Sequence, residues 1–361
     1  MVPVIEALKS DAFFEVKVCV TAQHRQMLDQ VLELFDIVPD FDLNLMKDGQ
    51  GLADITVSVV SGMMQVLEAW TPHLVLVHGD TTTTFAASLA AFYRKIPVGH
   101  VEAGLRTGNI YAPWPEEMNR RLTSALTTVH FAPTAQAAAN LVGEGILPQS
   151  IIVTGNTVID SLLKVVAKIR DNPDLECKLS GLFPWRDESL KLILVTGHRR
   201  ENFGAGFESI CTALMTLGSR PDVQIVYPVH LNPNVQKPVS RLLGNVPAIH
   251  LIAPLDYLPF VYLMSKSYII ITDSGGVQEE APSLGKPVLV LREITERPEA
   301  VEAGTVRLVG TESQAIITAA GELLDNPLAY GLMSKLHNPY GDGKAARRIA
   351  DYLISDVLPT C

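Results

Sequence analysis

Short apolar runs rich in β-branched residues alternate along this chain with segments of helical periodicity. Such alternation is typical of parallel sheets whose strands are joined by crossover helices. The clearest helical segments are 83–95 and 116–128. The runs predicted to be strands are 14–21, 73–79, 96–101, 129–134, 151–155, 191–197, 223–229, 249–254, 268–276 and 286–291. The pattern therefore predicts an α/β fold of doubly wound, Rossmann-like parallel sheets.

The chain is long enough for two such sheets, because its 361 residues compare with about 150 for an average domain. Polarity rises over 172–191 before a new strand, which places the change of domain between about 155 and 190. We predict a first domain over 1–165, a second over 166–345, and a terminal helix over 346–361 that packs back on the first domain. If the two sheets face each other, a ligand is expected between the carboxyl ends of their strands.

The amino-acid composition of the chain limits the kinds of partner that it can bind. The chain carries 29 basic and 39 acidic residues, a net charge of −10, which argues against a nucleic-acid surface and against binding to anionic lipid. Cys19, Cys177, Cys211 and Cys361 form no CxxC pair, so thiols in a reducing compartment are a better interpretation than a zinc site or disulfides. No apolar run approaches the about 20 residues that span a bilayer, and residues 1–14 lack the features of a signal peptide. We therefore expect a cytoplasmic protein with no membrane partner.

The segment 268–300 contains the most informative pattern. Its strand is followed by Ser274, Gly275 and Gly276, which lead into a helix predicted to start near Val277. Small residues there let backbone N–H groups approach a diphosphate, whose negative charge the helix dipole favours.

Two charged residues follow in the same segment. Glu280 lies one helical turn on, where it can accept hydrogen bonds from ribose hydroxyls, and Arg297 follows the next strand and can reach the phosphates. The alternative is an ordinary glycine-containing turn between strand and helix, with the charges on the surface.

Two acids follow neighbouring strands in the first half of the chain. Asp80 lies in HGDTTTT (78–84) at a strand-to-helix junction, where it can instead cap the helix. Glu102 lies in GHVEAGLRTGN (99–109) at the end of the next strand, which is an unusual place for an uncompensated glutamate.

A third acid lies in YAPWPEEMNRR (111–121). Pro115 suits the first position of a helix, and Glu116 with Glu117 in its first turn complements the helix dipole, which is a purely structural role. Acids on adjacent strand ends of one sheet can instead face a single cleft as acid and base. For Asp80, Glu102 and Glu116 taken together we favour catalysis.

Two histidines also follow strands. His198, Arg199 and Arg200 lie in TGHRRENFG (196–204), where cations can meet a leaving diphosphate, although a lone histidine is more often structural. His230 is interpreted as a positioning or core residue.

Leu255 and Phe260 can frame a flat base with a backbone group and a ring. The sequence contains no GxGxxG after a strand, no GxxxxGKS/T and no HExxH. Hydride transfer, ATP hydrolysis and metal catalysis therefore have no support, and neither a cofactor nor a metal is predicted.

With these motifs in their order, the chain resembles the bacterial non-hydrolysing UDP-N-acetylglucosamine 2-epimerases over nearly its whole length. Several long motifs in a fixed order are far more specific than any single one. The motifs are HGDTTTT, HVEAGLRT, PWPEEMNR, GNTVID, GHRRENFG, YPVHLNPNV, TDSGGVQEEAPSLGKPVLVLRE and TERPEA.

The resemblance implies a GT-B fold, a homodimer, and reversible conversion of UDP-N-acetylglucosamine to UDP-N-acetylmannosamine for bacterial surface polysaccharide. The implied route is anti elimination of UDP to 2-acetamidoglucal followed by readdition, without a cofactor or metal. It implies that Asp80, Glu102 and Glu116 are the catalytic carboxylates and that His198 supports the departure of UDP. The implied contacts with the UDP-sugar, besides Asp80, Glu102 and His198, are Leu255, Phe260, Ser274, Gly275, Gly276, Glu280 and Arg297.

Members of this family also bind a second UDP-sugar as an activator. The segment AQHR (22–25) matches the part involved, which makes Gln23, His24 and Arg25 candidate allosteric residues.

One part of the family pattern has no counterpart in the chain. The family begins with a strand and a Gly-Thr-Arg-Pro-Glu loop that carries an arginine and a lysine at the active site, whereas MVPVIEALKS matches the helix after that loop. The first strand of a doubly wound sheet is central, so we expect two inner strands without ladder partners. We then expect the chain as given to fold poorly or to bind UDP-sugar without turnover, unless the working protein starts upstream.

Other functions share these features. A hydrolysing epimerase relative would release free N-acetylmannosamine and UDP, and a GT-B glycosyltransferase would need an acceptor. A catalytically silent UDP-sugar binding protein would bind UDP without exchange at C2.

Overall fold

The computed structural model describes residues 1–22, 25–46, 49–295 and 297–355. The chain forms two compact units. Unit 1 contains Met1–Ser161 and the segment from Tyr340 onward, and unit 2 contains Leu162–Pro339. The predicted boundaries, after 165 and after 345, lie a few residues further along the chain than these.

The strands of unit 1 pair in parallel throughout. One sheet has the order β3-β4-β5-β6, and β1 pairs with β2 in a separate sheet. Of the predicted strand 14–21, only Cys19 and Val20 pair with another strand, and these two residues form β1. Its partner, β2, was not predicted. The strands are β1 (Cys19–Val20), β2 (Phe41–Asp42), β3 (Val75–His78), β4 (Val98–Val101), β5 (Val129–Ala132) and β6 (Ile151–Val153).

Helices connect these strands and cover both faces of the sheet. Small side chains of α4 (Ala86, Ala87, Ala90 and Ala91) let it approach α3 and the strands closely. The helices are α1 (Val2–Lys9), α2 (Arg25–Leu34), α3 (Leu52–Ala69), α4 (Thr82–Tyr93), α5 (Glu116–Leu126), α6 (Ala135–Gly143) and α7 (Thr157–Arg170), with a 3₁₀ turn at Pro148–Ser150. α7 begins in unit 1 and ends in unit 2.

α3 is long and apolar enough to cross a membrane by length and composition, with a mean hydropathy of 1.3 over 18 residues. The expectation that no segment approaches that length is therefore too strict. In unit 1, Val59, Met63 and Leu67 of α3 are buried in the core that α3 shares with α4. Packing within the unit accounts for this apolar face.

Unit 2 contains a parallel sheet of order β12-β11-β10-β7-β8-β9. The chain winds outward from β7 in one direction and from β10 in the other, so the topological switch point lies between these two neighbours. The short strand β12 was not predicted. The strands are β7 (Lys191–Thr196), β8 (Val223–Pro228), β9 (Ile249–Ile252), β10 (Ile269–Thr272), β11 (Val288–Val290) and β12 (Val306–Leu308).

The helices of unit 2 bury the apolar side chains of this sheet on both faces. They are α8 (Pro173–Gly181), α9 (Ala205–Gly218), α10 (Pro233–Leu243), α11 (Tyr257–Lys266), α12 (Gly275–Glu280), α13 (Pro298–Glu302), α14 (Ser313–Asp325) and α15 (Pro327–Ser334), with 3₁₀ turns at Arg200–Asn202 and Ala281–Leu284.

The last helix, α16 (Ala345–Ser355), belongs to unit 1. Its apolar side chains share a core with α1 and β5, and Tyr352 meets Phe131 edge to face. The Asp160 carboxylate accepts hydrogen bonds from the backbone N–H groups of Ala345 and Ala346, at 3.2 and 2.9 Å, and so caps the start of α16.

An apolar cavity of about 730 Å³ lies in unit 1 between β1 and β3. Its walls are apolar side chains of α1 and α3, including Leu8 and Met63. Within the described residues, neither β1 nor β3 pairs with another strand on the side that faces this cavity. Along these two edges, the backbone N–H and C=O groups of β1 and β3 therefore have no partner strand among the described residues.

We predict that the amide hydrogen of Leu76 exchanges with solvent deuterium at least about 10-fold faster than that of Val77. The amides of Val75 and Gly79 donate toward β4, and amides alternate between the edges of a strand, so the Leu76 amide points to the cavity. Hydrogen exchange followed by NMR measures both rates. Equal protection would mean that further backbone covers this edge.

Candidate functional site

Parallel pairing brings Asp80 and Glu102 to the same edge of the unit 1 sheet. His78 is in register with Val101, and the Gly79 amide donates to the Val101 carbonyl at 3.0 Å. Asp80 therefore follows the end of β3, and Glu102 follows the end of the neighbouring β4.

Helix α5 holds Asp80 in place. The Asn119 side-chain amide donates to the Asp80 carbonyl at 2.9 Å, and Arg120 Nη2 donates to Asp80 Oδ2 at 2.5 Å. The alternative interpretation of Asp80 as a helix cap is wrong, because Thr81 is the N-cap of α4 and its hydroxyl accepts from the Thr84 amide. The Asp80 side chain is 25% exposed and thus accessible to a ligand.

Glu102 lies on a backbone turn that few residues adopt. Its φ is +65°, which costs a residue with a Cβ about 1–3 kcal/mol and persists only where the surrounding structure holds it. Gly104 follows with φ +89°, and a Cβ there would lie 2.2 Å from the Ala137 carbonyl oxygen. Glu102 Oε2 lies 3.5 Å from His78 Nε2, and burial lowers the pKa of that imidazole well below its usual value.

His100 was not singled out in the sequence, although it lies in the HVEAGL motif. Its Nε2 donates to the Gly79 carbonyl at 2.8 Å, which fixes the loop that carries Asp80. Burial lowers the pKa of this imidazole to about 4, so the ring is neutral at physiological pH.

The structure distinguishes Glu116 from Glu117, which lie side by side at the start of α5. Glu117 is fully buried and accepts hydrogen bonds from the amides of Thr107 and Gly108, at 3.0 and 3.3 Å, and from Arg120 at 3.4 Å. Glu117 therefore fixes the loop after Glu102 and the arginine that holds Asp80. Glu116 is only partly buried, so its carboxylate is accessible to a ligand.

In unit 2, His198 follows β7 and Ser274 follows β10, so both lie at the switch point of that sheet. Asp273, which is completely buried, organises this edge. Its Oδ2 accepts from the backbone amides of His198 and Arg199, at 2.9 and 2.8 Å, and from the Asn202 side chain at 3.2 Å.

The imidazole of His198 is partly exposed at this edge. His198 Nδ1 lies 3.5 Å from Asp273 Oδ1, and the ring stacks on that of His230 with centroids 5.4 Å apart. Burial lowers the pKa of His198, while the negative charge of Asp273 acts in the opposite direction. Asp273 was not predicted as a site residue; the signal was an aspartate at the end of a strand that is otherwise apolar.

Helix α12 begins at Gly275 and not near Val277 as predicted, with Ser274 at its N-cap. Arg297 Nε donates to Glu279 Oε1 at 2.7 Å, and its guanidinium carbon would lie 3.2 Å from a Cβ at position 275. Only glycine fits there without moving this arginine, so Arg297 lies directly beside the turn of small residues.

Glu280 is buried at the end of α12, with 6% of its surface exposed. Leu255 and Phe260 lie before and within α11, and both are partly buried. Among the predicted contacts with the nucleotide, Ser274, Gly275 and Arg297 are the ones that the structure brings together at one turn.

Of the candidate allosteric residues, Gln23 and His24 lie outside the described residues. Arg25 begins α2 and pairs with Asp29 and Asp42. In the part of the chain that the structure describes, no group of three His, Cys, Asp or Glu side chains is arranged to hold a metal ion.

Comparison with known proteins identifies relatives over almost the whole chain. A family model described as UDP-N-acetylglucosamine 2-epimerase matches residues 6–354. The UDP-N-acetylglucosamine 2-epimerase of Escherichia coli is 58% identical over 354 residues, which cover 98% of this chain and 94% of that protein.

Solved structures also match nearly the whole chain. The crystal structure of UDP-GlcNAc 2-epimerase from Neisseria meningitidis bound to UDP-GlcNAc has a TM-score of 0.91 and 55% identity, covering 99% of this chain and 96% of that one. The crystal structure of Methanocaldococcus jannaschii UDP-GlcNAc 2-epimerase in complex with UDP-GlcNAc and UDP has a TM-score of 0.79 and 32% identity. The match covers 98% of this chain and 95% of that one.

The fold is of the GT-B type, an α/β class with two parallel-sheet units. Within that class, the chain belongs to the UDP-N-acetylglucosamine 2-epimerase family.

We predict that Glu117→Gln lowers the free energy of unfolding of unit 1 by roughly 2–4 kcal/mol, because it removes a buried charge that faces arginines. Glu116→Gln is the matched control and should change stability by less than about 0.5 kcal/mol. Urea unfolding measures both. If both variants were equally stable, Glu117 would have no role in fixing the loop.

Proposed function

We propose that this protein interconverts UDP-N-acetylglucosamine and UDP-N-acetylmannosamine by inverting C2, without releasing free sugar. Membership of the epimerase family supports the substrate. The observation that carries the reaction type is the pair of accessible carboxylates, Asp80 and Glu102, on neighbouring strand ends of unit 1.

The C2–H bond of the sugar is only weakly acidic, so a positioned carboxylate must take the proton as the bond from C1 to the diphosphate oxygen breaks. The C2–H electrons then form the double bond of 2-acetamidoglucal, and the C1–O electrons leave with UDP. Readdition of UDP, with a proton delivered to the opposite face of C2, gives the epimer. Asp80, Glu102 and Glu116 supply the acid and base groups for these steps, and the route uses no cofactor or metal ion.

Unit 2 supplies the contacts with the nucleotide. In the proposal, Ser274, Gly275, Gly276 and Arg297 bind the diphosphate, and His198 stabilises its charge as it departs. The location of His198 and Ser274 at a switch point, where ligands of such sheets bind, supports this assignment, and Arg297 lies beside Gly275. The solved relatives with bound UDP-GlcNAc and UDP support the choice of nucleotide.

The remaining contacts are assigned in the same way. Glu280 accepts hydrogen bonds from the ribose hydroxyls, and Leu255 and Phe260 frame the uracil. A homodimer, and activation by a second UDP-sugar near Arg25, are parts of the proposal that follow from the family resemblance. In unit 1, Arg25 is already paired with acids, so a second diphosphate would have to displace Asp29 or Asp42.

We predict that Asp80→Asn, Glu102→Gln and Glu116→Gln each lower the rate of deuterium entry at C2 by at least about 100-fold, because each removes a proton-transfer group. NMR of UDP-N-acetylglucosamine in deuterium oxide measures this rate, and Glu68→Gln on the exposed surface of unit 1 is the matched control. The same spectra detect free N-acetylmannosamine, whose release would favour a hydrolysing enzyme. UDP binding without any exchange in the unaltered protein would favour a silent binding protein.

A further inference from the structure

Tyr257, the first residue of α11, contacts the buried acid at the end of α12. The Tyr257 hydroxyl donates to Glu280 Oε1 at 2.6 Å. These residues are 23 positions apart in sequence, so the contact is a tertiary one that links the two helices. The sequence around Tyr257 contains no pattern that predicts this contact.

The hydrogen bond acts on a carboxyl group that burial makes difficult to ionise. Burial raises the pKa of Glu280 to about 7, the Tyr257 hydroxyl opposes that rise, and the neighbouring charge of Glu279 adds to it. Burial, and then the charge of Glu280, raise the pKa of Tyr257, so the phenol remains the proton donor. Glu279 itself is paired with Arg297, and the turn Ala281–Leu284 that packs on α11 carries no titratable side chain.

Tyr257 also connects two parts of the proposed nucleotide site. Phe260 lies three residues further along α11, on the same side of the helix as Tyr257. The phenol therefore ties the helix that carries the proposed base contact to the acid proposed for the ribose.

We propose that Tyr257 is a positioning residue for the nucleotide: its hydroxyl, bonded to Oε1, holds the Glu280 carboxyl group in one orientation, so that Oε2 receives the ribose hydroxyls. This inference rests on the proposed function, in which Glu280 binds the ribose. A positioning role can be distinguished from a purely structural link between α11 and α12 by the pH dependence of nucleotide binding. Loss of the hydroxyl should make nucleotide binding more dependent on pH, because an unassisted Glu280 ionises only at higher pH.

Calorimetric titration with UDP between about pH 6 and pH 9 tests this inference. The affinity of the unaltered protein should rise as pH increases through about 7, where Glu280 ionises. Tyr257→Phe should bind UDP about 10-fold more weakly near pH 7, since a hydrogen bond to a charged group is lost. The deficit should shrink toward pH 9 as Glu280 ionises without help. UDP titrates as well, but its own ionisation cancels in the ratio of the two affinities.

Two further variants are controls. Tyr330→Phe removes a tyrosine hydrogen bond elsewhere in unit 2, to the Tyr268 carbonyl, and should bind UDP like the unaltered protein at every pH. Glu280→Gln never ionises, so the rise in affinity attributed to this residue should disappear.

Failure of the proposed function and failure of the Tyr257 inference give different results in these titrations. If the unaltered protein did not bind UDP at any pH, the proposed function would fail. If it bound UDP and Tyr257→Phe had the same affinity, or an equal loss at every pH, the positioning role would be overturned. If the affinity of Glu280→Gln changed with pH just as that of the unaltered protein does, no part of the rise would come from Glu280, and the positioning role would also be overturned.

Discussion

Parallel strand pairing is the constraint from which the rest of this structure follows. All strands of a parallel sheet have their carboxyl ends at one edge, and each connection must return along a face of the sheet, usually as a helix. In unit 1 this places the loops after β3 and β4 side by side, and in unit 2 it does the same for the loops after β7 and β10. Polar residues that are far apart in the chain thereby come together without any special long-range contact.

The loops at such an edge contain backbone N–H and C=O groups that no strand pairs with, and these groups need other hydrogen-bond partners. Each unit does so with a fully buried carboxylate, Glu117 in unit 1 and Asp273 in unit 2. Each accepts hydrogen bonds from two consecutive backbone amides, at Thr107 and Gly108 or at His198 and Arg199. These buried acids organise loops, which leaves the more accessible acids for chemistry.

The sequence predicted most of the strands and the strand-end location of the acids, because both depend on local patterns. It did not predict β2 or β12, since each of these short strands contains a charged residue, Asp42 or Arg307, and so does not stand out as an apolar run. Glu116 was predicted as the catalytic acid of this pair, but the local pattern gives both Glu116 and Glu117 the same position at the start of a helix and no physical reason to choose between them. Neighbouring residues on a helix differ by about 100° in direction, and only the packing of α5 decides which one is buried. The contact of Tyr257 with Glu280 likewise depends on how two helices meet.

The turn at Glu102 shows how the fold uses strain near its candidate site. A positive φ at a glutamate is unfavourable, and it persists only where the surroundings hold it. Here the next amide, that of Ala103, donates to the Phe131 carbonyl of β5, and Gly104 fits against the Ala137 carbonyl where no larger residue could. The chain is therefore fixed on the C-terminal side of Glu102, while β4 fixes it on the other. A carboxylate held in this way has little conformational freedom left to lose when a substrate binds, and that is the property a proton-transfer group requires.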